Sequence, residues 1–257
     1  MAYGYRPELR ELPPDDLAPI VEWDDFLTYV LQWKQNQHLA AIGPTEQGKT
    51  NMLYWLLLQR AYVTFFCTKI KDRTLDGYAA QGGYQKIGDW PPKRGWLFKK
   101  EITPQEMPRR LLWPDATSIN AEDRQREVFG RAISDIYTQG GWCTVWDDYW
   151  YLAKILGLGR SSKKMLLNAR SNDIPFVLAT QRVAGQDNVE IFDQSTHLLF
   201  FRDNDERNLK TIGGVGWLAS GPIRAFVANL DRYQALYVNT RTGDMYRTTA
   251  PELTVTS

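Results

Sequence analysis

The 257-residue chain has only two cysteines and two histidines. That is too few for a disulfide framework or a zinc site of ordinary spacing. Cys67 and Cys143 each lie inside an apolar run, at 62–67 and 142–146, and read as reduced core thiols. His38 and His197 each open an apolar run and read as strand-edge residues rather than ligands. No run of about 18 apolar residues is present, so no helix is expected to span a bilayer. The first residues, Met1-Ala2-Tyr3-Gly4-Tyr5-Arg6-Pro7, lack the basic-then-apolar order of a secretory signal, and the expected location is cytoplasmic. Excess charge is missing too. With 31 Lys and Arg against 30 Asp and Glu, the net charge of +1 excludes a broadly cationic nucleic-acid coat and leaves room only for a focused basic channel.

What is present is globular in character. At 43% apolar and 13% aromatic, the composition lies outside the range of disordered chains, and the length allows one large α/β domain or two small ones. Residues 1–22 carry Pro7, Pro13, Pro14 and Pro19 among acidic residues and read as an extended arm. Trp23, Phe26, Leu27, Val30 and Leu31 fall at helical spacing, which predicts a short amphipathic helix. Strands are predicted over 38–42, 62–67, 142–146, 176–180 and 197–201, with helices over 50–60, 120–139, 161–172 and 204–212. Asn120 is the expected cap of the long helix, Glu122 and Asp123 suit its first turn, and Gly140-Gly141 stops it. Between about 70 and 118, glycine and proline break up short runs such as Trp96-Leu97-Phe98. This predicts an irregular insertion of loops and small strands, one of them over 111–113. A terminal hairpin is expected over 234–239 and 244–248, turning through Thr242-Gly243, followed by a polar tail over 251–257. The folded unit is therefore 23–250. Strands alternating with helices make it α/β, a parallel central sheet covered by helices on both faces.

Gly43-Pro44-Thr45-Glu46-Gln47-Gly48-Lys49-Thr50 satisfies G-x-x-x-x-G-K-[ST] at every fixed position, between an apolar strand and a helix. Glycines let the backbone curl so that several N–H groups converge on phosphate oxygens, and the helix adds its positive N-terminal end. Lys49 is expected to reach the β- and γ-phosphates, and the Thr50 hydroxyl to ligate Mg²⁺. Residues 142–148 form an apolar strand that ends in two carboxylates. Asp147 is expected to hold the Mg²⁺ shell through water, and Asp148 to polarise the attacking water. Taken alone, the same acids could simply begin a loop and cap a helix starting near Tyr149.

The segment Asn168-Ala169-Arg170-Ser171-Asn172-Asp173-Ile174-Pro175-Phe176-Val177-Leu178-Ala179-Thr180-Gln181-Arg182 resembles the fourth strand and its approach in the FtsK/HerA superfamily of DNA-pumping ATPases. Residues 38–240 follow that superfamily's order: phosphate loop, second strand, acidic strand, Arg, Gln strand, fifth strand. The resemblance implies a RecA-like P-loop NTPase sheet of the additional-strand (ASCE) class, with ATP and Mg²⁺ as cofactors. It implies that the Gln strand lies between the phosphate-loop strand and the acidic strand, so that Gln181 faces the γ-phosphate. It also implies that Arg170 is an arginine finger offered to a neighbouring subunit, a role worth about 10³–10⁵ in rate. The implied partners are further copies in a ring, a pentamer or hexamer, and double-stranded DNA. One departure is Asp148, where the superfamily usually has Glu. An altered reach, slow hydrolysis or a contribution from Glu46 remain alternatives.

Two basic clusters are candidate DNA contacts if copies form a ring. In the first, Arg160, Lys163 and Lys164, Ser161 or Ser162 is the expected helix cap, which puts the lysines in the first turn. The second is Lys69 and Lys71, with Arg73 close by. The chain thus reads as an ATP-driven translocase of double-stranded DNA, resembling compact viral genome-packaging ATPases, with a portal or capsid component as a further partner and a host's cytoplasm as its location. The alternative is an ATP-dependent assembly or switch ATPase that does not move DNA. A small-molecule kinase would leave Gln181 and Arg170 unexplained.

Overall fold

Continuous apolar runs form stable strands only when both faces of the sheet are covered, and the burial pattern follows that rule. A computed structural model describes residues 15–94, 100–181, 189–213 and 220–253. Arm residues 1–14, the Trp96-Leu97-Phe98 run, Arg182, Trp217 and tail residues 254–257 lie outside the described residues. In chain order the elements are α1 (Trp23–Asp25, continued by a π-helix, Phe26–Leu31), β1 (His38–Ile42), α2 (Lys49–Leu57), β2 (Val63–Phe66), α3 (Arg73–Gln81), β3 (Gln85–Ile87), β4 (Lys93–Arg94), β5 (Lys100–Glu101) and β6 (Arg109–Leu112). There follow α4 (Ala121–Gln139), β7 (Cys143–Trp146), α5 (Gly159–Asn168), β8 (Phe176–Thr180), α6 (Val189–Gln194), β9 (Ser195–Phe201), α7 (Glu206–Gly213), α8 (Ser220–Asn229), β10 (Gln234–Asn239) and β11 (Met245–Thr249).

The main sheet is nine-stranded, in the order β11-β10-β9-β1-β8-β7-β2-β6-β3. From β9 to β3 neighbouring strands are parallel, and β10 and β11 add an antiparallel hairpin at one edge. Successive residues face opposite layers. Ala40, Ile42, Phe66 and Trp146 pack with Val128 and Phe129 of α4 on one face. Leu39, Ala41, Phe65 and Val145 pack with Met52 and Leu53 of α2 on the other. Each large side chain buried in this way contributes roughly 1.5–3 kcal/mol. Both cysteines are buried and free, as expected. The histidines sit at or near strand starts but are fully enclosed. No helix among the described residues is long and apolar enough to cross a membrane.

Three local expectations need correction. The stretch after β2 carries a nine-residue helix, α3, whose N-terminus is closed by Asp72 accepting the Thr74 and Leu75 N–H groups, and its strands β3 and β6 extend the main sheet. Asn120 precedes α4 without a side-chain cap bond; instead Ser118 Oγ accepts the Asn120 N–H at 3.2 Å. Helix α5 begins at Gly159, so Ser162 lies inside it, buried, donating to the Gly159 carbonyl at 2.7 Å. Lys163 and Lys164 therefore fall beyond the first turn, where the helix dipole no longer acts strongly on them.

Candidate nucleotide-binding site

In a parallel sheet the loops after the strands gather at one edge, which is where such sheets hold ligands. Four tips meet there. The 43–50 loop follows β1, Gln181 follows β8, Asp147 and Asp148 follow β7, and Lys69 follows β2. Because β8 lies between β1 and β7, Gln181 stands between the loop and the acids, as the resemblance implied. The tips border a cleft of about 670 Å³, within the range of small-molecule sites.

The loop's conformation is one that glycine allows. Gly43 has φ +151°, and a Cβ there would lie 2.7 Å from the Phe201 Cβ. Its N–H donates to the Thr180 carbonyl at 3.1 Å, tying the loop to β8. Gly48, with φ +91°, precedes α2. Glu46 also has positive φ, at 62°, and is exposed at the loop's crest beside Thr45. Lys49 curls back to donate to the carbonyls of Gly43 at 2.6 Å and Pro44 at 2.5 Å. Burial pushes its ammonium down to about 8, Lys69 adds to that, and Asp147, Asp148 and Asp203 oppose it. A polyanion in the loop would supply the negative charge that burial withholds from this lysine.

The Thr50 hydroxyl donates to Asp147 Oδ1 at 3.1 Å, although 97 residues separate them. Burial raises the Asp147 pKa, Asp72 adds to this, and Lys69, Thr50 and Lys49 pull the other way. Lys69 Nζ lies 4.0 Å from Asp147 Oδ2 and 2.7 Å from Asp72 Oδ2. Burial pulls the Lys69 ammonium down, but the bond to Asp72 and the charge of Asp147 outweigh it and leave its pKa raised. Asp148 Oδ1 accepts the Tyr151 N–H at 3.1 Å and so closes the π-helical turn Tyr151–Ile155. The capping alternative is thus realised, and the same side chain also borders the cleft and an adjoining groove of about 730 Å³. Gln181 is exposed at the cleft wall.

The residues suit Mg²⁺. Its hard-oxygen donors would be the Thr50 hydroxyl and the Asp147 carboxylate, and Mg²⁺ ordinarily takes one or two protein oxygens together with waters and phosphate oxygens. No group of three or more His, Cys, Asp or Glu among the described residues is placed to hold a metal ion.

Arg170 lies elsewhere. It sits in a 3-10 turn, Ala169–Asn172, and donates to the Gln194 carbonyl. Gln194 directly precedes Ser195, which pairs with His38 at the start of β1. The length of β1, about 16 Å for five residues, therefore separates Arg170 from the loop of its own chain. Its buried Nε has no partner among the described residues, and burial followed by the charge of Arg241 lowers its pKa.

The basic clusters divide. Lys69, read from sequence as a DNA contact, stands in the cleft beside Asp147, because β2 adjoins β7 in the sheet. Lys71 is exposed on the groove alongside. Arg160 is exposed in the first turn of α5, whereas Lys163 pairs with Glu190 at 3.0 Å and Lys164 lies 4.5 Å over the Tyr137 ring. Sequence reasoning missed Arg232, Tyr233 and the strap over 249–253, which wall the cleft. No local motif marks them, since only the return of the hairpin brings them to the loop.

No protein-family model matches the sequence, and neither does any curated protein. Solved structures do resemble the fold. The genome packaging NTPase B204 of Sulfolobus turreted icosahedral virus 2, in complex with ATP-gammaS, matches with a TM-score of 0.58 at 12% identity, covering 86% of this chain and 100% of that one. The DNA-packaging ATPase B204 of Sulfolobus turreted icosahedral virus matches at 0.57 and 14% identity, covering 86% and 100%. The cytoplasmic domain of the Thermomonospora curvata type VII secretion ATPase EccC matches at 0.55 and 12%, covering 87% of this chain and 26% of that one. At such identities the likeness is one of fold. The parallel sheet, its helical layers and its edge hairpin make up the P-loop ATPase fold seen in the DNA-packaging ATPase B204 and in the secretion ATPase EccC.

Proposed function

We propose that the protein hydrolyses Mg²⁺-ATP and, as a homo-oligomeric ring of five or six copies, moves double-stranded DNA in viral genome packaging. The reading rests most heavily on the 3.1 Å meeting of Thr50 and Asp147 beside a glycine-framed lysine. In it the backbone of residues 43–48 cradles the phosphates and Lys49 neutralises the β- and γ-oxygens. Thr50 and Asp147 hold the metal, which when bound offsets charge on the phosphoryl group. Asp148 orients the attacking water, and Gln181 reports the γ-phosphate. Arg170, a strand's length from its own cleft, serves the cleft of the next copy. The naming of the B204 proteins as genome-packaging and DNA-packaging enzymes agrees with this use of the fold. In this reading the ring acts in the cytoplasm, a host's for a viral chain, and docks on a portal or capsid component.

The test is ATPase rate against protein concentration, with and without duplex DNA. Both should stimulate strongly. Mixing Arg170→Ala with Lys49→Ala protein should restore part of the activity each lacks, because a mixed ring contains interfaces with an intact loop facing an intact Arg. No rescue would mean that sites are not shared.

A second reading, an assembly or switch ATPase that does not move DNA, gains from the pairing of Lys163 with Glu190 and from Asp148 serving as a helix cap. It expects a rate indifferent to duplex DNA.

A further inference from the structure

The cleft has two walls of different chemistry. One carries Lys49, Lys69, Asp72, Asp147 and Asp148, charged groups suited to a metal-bound triphosphate. The other carries Tyr233 and Arg232 from the turn before β10, together with Ala250, Glu252 and Leu253 from the strap after β11. A triphosphate has no use for an aromatic ring backed by apolar side chains. A nucleoside does.

Two observations mark this second wall as built. Tyr233 has φ +69°, in a turn closed by the Gln234 N–H donating to the Asp231 carbonyl at 3.2 Å. That position in a turn ordinarily takes glycine or asparagine, and a bulky aromatic residue there is strained. Such strain persists where surroundings impose it and gathers at ligand clamps. The Tyr233 ring is seated on the phosphate loop itself, since a Cβ on Gly48 would lie 2.8 Å from its Cδ1. The Arg232 guanidinium lies 4.7 Å over the same ring. The strap is tied down just as firmly. The Pro251 carbonyl accepts from Asn51 Nδ2 at 2.8 Å and from Trp55 Nε1 at 2.7 Å, while the Leu253 N–H donates to Asn51 Oδ1 at 2.8 Å. Asn51 directly follows Thr50, so the strap is fastened to the first turn of the phosphate-binding helix.

We infer that Tyr233, Arg232 and the 250–253 strap form the nucleoside subsite of the cleft. The Tyr233 ring stacks the base, and the exposed Glu252 carboxylate accepts a ribose hydroxyl. The inference rests on the triphosphate reading of the loop and adds to it the part of the substrate that makes it a nucleotide.

The experiment measures binding of Mg²⁺-ATP and of Mg²⁺-tripolyphosphate to the full chain by competition with a fluorescent nucleotide and by calorimetry. Wild type should bind ATP more tightly than tripolyphosphate. Tyr233→Gly, which suits the positive φ and so preserves the turn, should weaken ATP about tenfold, the order of one lost stacking partner, and leave tripolyphosphate unchanged. Tyr233→Phe, which keeps the ring, should bind ATP like wild type, and Glu252→Gln should narrow the preference for ATP over 2′-deoxy-ATP. Should Tyr233→Gly bind ATP as wild type does, or should wild type bind ATP no better than tripolyphosphate, the subsite is wrong and the phosphate site stands. A wild-type protein that binds neither overturns both.

Discussion

Mild acid should destabilise this protein by way of its two histidines. His38 has both ring nitrogens committed, with Nε2–H donating to the Leu166 carbonyl at 3.1 Å and Nδ1 accepting the Phe176 N–H at 3.1 Å. In His197, Nδ1 accepts the Tyr237 hydroxyl at 2.8 Å. Its Nε2–H donates at 2.9 Å to Gln37 Oε1, an oxygen that also accepts the Lys34 N–H. Burial holds each ring neutral, and at His38 a proton on Nδ1 would also face the Phe176 N–H already in place. Burial first, then the charge of Arg170, lowers His38 to about 4. Burial, then Arg60 and Arg241, lowers His197 to about 3. In the unfolded chain both titrate near the ordinary 6.5, so below that pH the unfolded state takes up protons that the folded state refuses, and stability falls with pH. At about pH 5 each site has lost roughly 2 kcal/mol, from about 1.5 pH units at 1.36 kcal/mol each, or roughly 4 kcal/mol together. Asp147, with its pKa raised by burial, works in the opposite direction. Urea unfolding at about pH 7.5 and about pH 5 measures the difference, and a His38→Gln, His197→Gln double variant should lose most of it. A wild-type loss under about 1 kcal/mol, or an equal loss in the double variant, would refute the reasoning.

Gly48→Ala should cost about 1–3 kcal/mol, since its Cβ would meet Tyr233 at 2.8 Å from a backbone held at φ +91°. Thermal melting and ATP affinity should both fall, and a variant with an unchanged melting temperature would mean that the loop relaxes freely. Burial pushes the Cys143 thiol up to about 12 and Cys67 well above its ordinary value. Neither should react with a thiol reagent in the native protein, while both should in urea; prompt native labelling would show that the core opens there.

The site divided into a legible and an illegible half for physical reasons. Residues 43–50 were readable because all their constraints are local: a curl only glycine permits, an ammonium and a hydroxyl at fixed offsets. The strand ending at Asp147 was readable because a parallel sheet buried on both sides leaves an unbroken apolar run before a polar tip. The nearness of Lys69 to Asp147 was not legible because sequence spacing hides which strand tips are neighbours, and only the β2–β7 pairing sets the two together. Helix α5 began early because its first turn rests on tertiary packing, with Ser162 buried rather than capping, so cap chemistry gave the wrong start. Tyr233 was invisible because a strained turn residue has meaning only when the loop it presses against is known.

The proposed sharing of sites has a consequence for assembly. Each copy would offer Arg170 at the start of its parallel strands and receive a neighbour's at their ends, about 16 Å away. Donor and acceptor are thus different surfaces. Repeating such a head-to-tail contact either closes into a ring or continues as a filament. A closed ring completes as many sites as it has copies, whereas an open chain leaves its terminal cleft without an Arg. Activity per copy should therefore rise with concentration and level off once rings close, and from that point adding Arg170→Ala copies should lower it in proportion to the clefts they face. A plateau already reached by isolated single copies would remove the need for a second molecule and return Arg170 to the role its bond to Gln194 suggests, a tie that holds the turn before β8 against α6.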